Sequence, residues 1–124
     1  MMSSRKAISV INSIKVPKHM VREAIAVRNN YVDYFKRQPG FVSSTFYQAA
    51  EDSQSSFDFV NIVVWESKEH FDAVVNDGFR NSDGMNRDGR KVLGKGFPEP
   101  IQVSPGQYVV VENDLAEGSS RDQL

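Results

Sequence analysis

The sequence predicts an α+β fold of the ferredoxin-like kind, βαββαβ with one four-stranded antiparallel sheet, and three observations carry that prediction. Stretches with the strand period of two and stretches with helical spacing follow one another in this order. The polar run EDSQSS at 51–56 reads as a hairpin loop between the second and third strands. The third strand, FDFVNIVVWE at 57–66, is apolar on both faces and so belongs at the centre of the sheet.

The first strand is AISVINSIKV at 7–16, with Ile8, Val10, Asn12, Ile14 and Val16 on one face and the more mixed Ala7, Ser9, Ile11, Ser13 and Lys15 on the other. Pro17 ends it and suits the first turn of a helix from about Lys18 to Gln38, along which Val21, Ala24, Ile25, Arg28, Val32 and Phe35 keep helical spacing. Pro39-Gly40 stops this helix. The second strand, FVSSTFYQAA at 41–50, sets Phe41, Thr45 and Tyr47 on one face and Val42 and Phe46 on the other. After Trp65, Ser67 is an N-cap for the second helix, Glu69 suits the dipole of its first turn, and Phe71, Val74 and Val75 form its apolar stripe. Asp77-Gly78 ends or bends that helix. Five of the eight glycines fall between Phe79 and Gly106 together with Pro98, Pro100 and Pro105, which predicts a long excursion with one short helical turn near Phe79. The last strand is placed at Gln107 to Asn113, QYVVVEN. Residues 1–112 are expected to form a single domain and 113–124 a polar tail.

The central strand also carries polar groups that packing does not require. Asn61 and Trp65 share a face about 13 Å apart at Cα, at ~3.3 Å rise per residue. Side chains can lean across that gap around a small ligand. A buried amide without a partner costs roughly 1–3 kcal/mol, so Asn61 needs either a structural hydrogen bond or a functional reason. Asn12 lies on the apolar face of the first strand, which this topology places beside the third, so the two amides are expected in one region beneath the helices. Two helices cover only one face of the sheet, and the apolar second face of strand three predicts a homodimer packed sheet to sheet.

Bulk properties narrow the function classes. A chain of 124 residues is one domain with room for a single core, and a formal charge of -1 supplies no field to draw nucleic acid or anionic membrane. With no cysteines there are no disulfides, thiolate ligands or Cys nucleophiles, and two separated histidines, His19 and His70, argue against a metal site. Either could act as an acid or base, although an exposed helix position accounts for both. No apolar run has the length of a signal core or a membrane span, so a soluble, cytoplasmic protein is expected.

A long helix ending in QPGF, followed by VNIVVWESKEHFDAVV, resembles the antibiotic biosynthesis monooxygenase domain family over about residues 8–112. The resemblance implies a dimeric α+β barrel. It also implies a candidate activity, because cofactor-independent anthrone and quinol oxygenases of this family use an Asn and a Trp in an N-x-x-x-W pattern that Asn61 and Trp65 match. By this resemblance Asn61 and Trp65 would be catalytic and Asn12, Phe71, Arg80 and Arg87 would bind the substrate, a small anthrone- or hydroquinone-like molecule, with O₂ and neither metal nor organic cofactor. Amide and indole N–H donors in a dry pocket would stabilise the substrate oxyanion. Trp65 equally suits a purely structural place at the end of a buried strand.

The pattern has departures. Phe71 stands where some of these oxygenases have Tyr, and Arg80 and Arg87 are only the nearest candidates for their arginine. Val74 and Gly84 occupy the approximate Trp and His positions of the haem-degrading branch, which disfavours that activity although Asn12 fits it. A non-enzymatic ligand-binding or stress-response module is the alternative. The charge of +3 over Arg80 to Lys95, five basic residues against Asp83 and Asp88, could draw an anion to a pocket mouth or be a solvated loop.

Overall fold

The computed structural model describes residues 6–76 and 97–118. Its elements are β1 (Ile8–Lys15), α1 (Val21–Phe35), β2 (Phe41–Gln48), β3 (Phe59–Trp65), α2 (Lys68–Phe71) and β4 (Gln102–Tyr108). A single 3₁₀ turn, Lys18–Met20, leads into α1, and a π-helical turn, Asp72–Asn76, continues α2. The sheet order is β2-β3-β1-β4 with every neighbouring pair antiparallel, the expected ferredoxin-like arrangement. Arg80, Arg87, the basic run around them and the turn expected near Phe79 lie outside the described residues.

The central strand behaves as its pattern requires. Phe59, Asn61, Val63 and Trp65 are buried and alternate with half-buried Val60, Ile62 and Val64. In β1 the same face carries buried Ile8, Val10 and Ile14, with half-buried Asn12 among them. Against this face the core gathers in two clusters. One holds Ile8, Val10, Tyr34, Val63, Trp65, Phe71 and Val74. The other holds Ile14, Val16, Met20, Ala24, Phe59 and Ile101. Asn12 and Asn61 stand between the two, at the middle of their strands.

Three expectations need correction. β4 was placed at Gln107–Asn113, but it runs Gln102–Tyr108 and leaves Val109, Val110 and Val111 exposed. Pro100 lies in a turn as expected, but Pro105, also a turn signal, falls inside β4, where the edge of the sheet can carry a proline; it pairs opposite Asn12. In β2 the register shifts between Phe41 and Ser43, so Phe41 opposes Trp65 and Phe46 opposes Asn61. This bulge puts Phe41, Ser44 and Phe46 on one face, where strict alternation had paired Phe41 with Thr45 and Tyr47. In α1 the inward positions include Tyr31 and Tyr34, while Ile25 is 37% exposed. Aromatic rings reach the sheet across the layer gap more fully than the aliphatic stripe read from spacing.

The turn after α1 locks onto the start of α2. Gly40 has φ 89°, and its carbonyl accepts from the Glu66 N–H at 2.8 Å. A Cβ on Gly40 would collide with the His70 ring. That ring is half-buried, in contrast to the exposed helix position expected, and its Nδ1 lies 2.7 Å from Ser67 Oγ, which also accepts from the His70 N–H as the N-cap of α2. Gly40→Ala therefore combines a left-handed backbone penalty with an overpacked contact. It is expected to destabilise the fold by about 2 kcal/mol or more, read as a lower urea midpoint at unchanged slope.

Candidate functional site

The pattern face of the sheet places Asn12 directly opposite Asn61 in the β1–β3 register, at the centre of the sheet and on the side that α1 covers. Asn61 is 6% exposed. Its amide oxygen accepts from Arg28 Nε at 3.1 Å, and Ser44 Oγ lies 3.5 Å from the same oxygen. Arg28 also donates from Nη2 to Ser44 Oγ at 2.9 Å and from Nη1 to Asn29 Oδ1 at 3.1 Å, and its guanidinium stands 5.0 Å from the Phe46 ring centroid. Burial lowers the Arg28 pKa from its ordinary value, a cost of holding a cation partly out of water. Arg28, Ser44, Asn61 and Asn12 thus form a polar belt between two apolar clusters.

Trp65 is fully buried in an aromatic cage, with Phe35, Phe41 and Phe71 at centroid distances of 5.4, 5.8 and 6.5 Å and edge-on or tilted geometry. Such ring pairs add to the gain from burial alone. Phe71 belongs to this cage, on the side where α2 meets β3. Neither the indole N–H of Trp65 nor the amide of Asn12 makes a hydrogen bond among the described residues. Among those residues no three His, Cys, Asp or Glu side chains gather as a metal site, and no helix is long and apolar enough to cross a membrane.

The structure brings together Asn12 and Asn61, keeps Trp65 and Phe71 in contact, and leaves Arg80 and Arg87 outside the described residues. It adds Arg28, Ser44 and Tyr31, which the sequence reading had not taken as site residues. The signal for Arg28 was its place in the inward stripe of α1 between Ala24 and Val32. Ser44 gave none, because only the bulge in β2 turns it inward. Tyr31 stands one helical turn from Arg28, between Phe35 at 6.2 Å and Phe97 at 5.9 Å. Burial pushes its phenol up to about 12, so it stays a neutral hydroxyl donor at ordinary pH.

The ferredoxin-like sheet thus carries a polar belt on the face that α1 covers. The family model for antibiotic biosynthesis monooxygenases matches residues 7–78, more than half of the chain, and the protein belongs to that family. The match stops short of the span to 112 over which the motifs had suggested a resemblance. No functionally curated protein matches it in sequence. Among solved structures, a Shewanella loihica PV-4 protein described as a monooxygenase is 22% identical with a TM-score of 0.66, covering 90% of this chain and 100% of its own. SnoaB, a cofactor-independent oxygenase from Streptomyces nogalater, is 20% identical with a TM-score of 0.59, at 90% and 99% coverage. A heme-degrading protein from Mycobacterium tuberculosis is 18% identical with a TM-score of 0.56, at 90% and 98%. At these identities the likeness is one of fold.

The Tyr31 environment has a pH consequence. Between 10.0 and about 12 the unfolded chain releases this phenolic proton while the folded chain keeps it, so stability falls as pH rises through that window. Tyr31→Phe is expected to flatten this loss, measured as the urea midpoint against pH from about 9 to about 12.

Proposed function

We propose that this protein is a cofactor-independent monooxygenase acting on a small aromatic or quinonoid substrate of the anthrone or hydroquinone kind. The observation that carries the reading is the Asn61 carboxamide, buried at the centre of the sheet opposite Asn12 and set between two apolar clusters. Family membership supports the reaction class, and SnoaB lends support for chemistry without a cofactor. In this reading Asn61 and Trp65 are the catalytic pair, and Asn12, Phe71, Arg80 and Arg87 bind the substrate.

The chemistry follows from where charge develops. An anthrone-like substrate loses a proton to become an oxyanion, and N–H donors in a water-poor site stabilise that charge. The electron-rich anion passes an electron to O₂, and radical recombination forms a carbon–oxygen bond as a peroxide. Loss of water leaves one oxygen atom on the substrate as a carbonyl and the other in water, with the substrate supplying all four electrons. The indole of Trp65, which has no acceptor among the described residues, is the second donor, and its aromatic cage keeps water away.

The opposite face of the sheet supports a homodimer. Ile11 pairs with Ile62 on that face beside Val60 and Val64, with Tyr47 and Tyr108 more than half exposed. A second copy packed on this face would cover them. Light scattering at micromolar concentration is expected to give twice the chain mass, and a monomeric mass would contradict the dimer.

Oxygen uptake by chelator-treated protein with a panel of anthrones and hydroquinones tests the activity. Asn61→Ala is expected to lower kcat by about 100-fold and Trp65→Phe by about 10-fold, with both variants folded by circular dichroism. Tight ligand binding without oxygen consumption would favour the non-enzymatic binding module.

A further inference from the structure

The bond between Arg28 and Asn61 fixes more than stability. A guanidinium has only donors, so the group that meets Arg28 Nε must be the amide oxygen of Asn61. Ser44, the other partner of that oxygen, also receives a hydrogen bond from Arg28. Both partners of the oxygen lie on the α1 and β2 side of the central strand. Across the strand, on the β1 side, stands Asn12.

We propose that Arg28 is a positioning residue: it locks the Asn61 carboxamide with its oxygen toward α1 and β2, so that the Nδ2 hydrogens point to the β1 side, where a substrate oxyanion sits beside Asn12. This deepens the proposed function and rests on it for the substrate's place. Without Arg28 an asparagine amide can turn over and present its oxygen, an acceptor that repels an oxyanion. The interaction supplies the orientation that a lone Asn on a strand lacks, and it places a cation on the far side of the amide, which polarises the N–H bonds toward the substrate. Phe46 beneath the guanidinium holds its plane.

The lock can be read without substrate. In ¹⁵N-edited NOE spectra of the wild-type protein, the Asn61 Nδ2 proton trans to the amide oxygen is expected to make its strongest contacts to β1 protons around Asn12, with only the cis proton showing a weak contact to the Arg28 Nε proton. In Arg28→Met, which keeps the stem and removes every donor, the contacts should spread to both sides. In Ser44→Ala, which leaves the Arg28 bond in place, they should stay as in wild type. Arg28→Lys retains a cationic donor group and should keep most of the pattern, which also guards against a Met variant that fails to fold. With any substrate the wild type oxidises, Arg28→Met should lower kcat about tenfold or more with little change in KM, and Arg28→Lys should recover part of the loss. Wild-type NOEs from Nδ2 that are stronger to Arg28 than to β1, or a pattern indifferent to Arg28→Met, would overturn the lock. An intact lock with no oxidation of any panel member would count against the monooxygenase reading alone.

Discussion

Asn61 places a primary amide at the centre of the central strand, on the face that builds the core, and the surrounding structure is arranged around satisfying it. An unpartnered amide there would cost roughly 1–3 kcal/mol, comparable with a large share of a small domain's net stability. The partner is Arg28, brought from α1 across the layer gap, and that choice has a second cost in the partial desolvation of a cation. Ser44 and Asn29 each take one further donor, from Nη2 and Nη1, and the Phe46 ring covers the guanidinium. The apolar core is consequently two clusters with a polar belt between them. A fold selected for stability alone has a simpler solution in an aliphatic side chain at position 61, because replacing a buried polar group and its partners by well-packed apolar groups is often neutral or stabilising.

The two sequence marks of the family have a common physical basis. The turn at Pro39-Gly40 and the junction at Trp65 to Ser67 are distant in sequence and interlock in space. Glu66 donates to the Gly40 carbonyl, His70 packs where a Gly40 side chain would lie, and Phe41 stacks edge-on against Trp65. Each residue type answers to a specific requirement: glycine to a positive φ and a close approach, serine to a helix cap, tryptophan to a cage of three phenylalanines. This junction anchors one end of the sheet, and through β3 it holds Asn61 at a fixed distance from the aromatic cluster. Rigid support of that kind is what a site needs to keep donors aligned with a developing charge.

The edges of the sheet are governed by different rules from its centre. β4 tolerates Pro105 because it is the edge strand of the sheet among the described residues, and Tyr108 folds back over Gly106, where a Cβ would meet its ring. Prolines and glycines there resemble loop signals, which is why the strand was placed several residues too late in the sequence. The valines at 109–111, the strongest local strand signal near the end of the chain, lie outside the sheet.

The sequence by itself determined the order of the elements, the central place of the third strand and the expectation of Asn12 and Asn61 in one region beneath the helices, because these follow from the period of side chains and from right-handed, short connections; that the two stand directly opposite is a matter of register. It also marked Arg28 by its place on the inward stripe of the helix. Only the tertiary structure decided that this arginine reaches the Asn61 oxygen, that a bulge in β2 turns Ser44 inward, and that Trp65 is caged by Phe35, Phe41 and Phe71. Those facts depend on the distance and rotation between layers, and on a register shift of one residue, neither of which leaves a periodic trace in the chain.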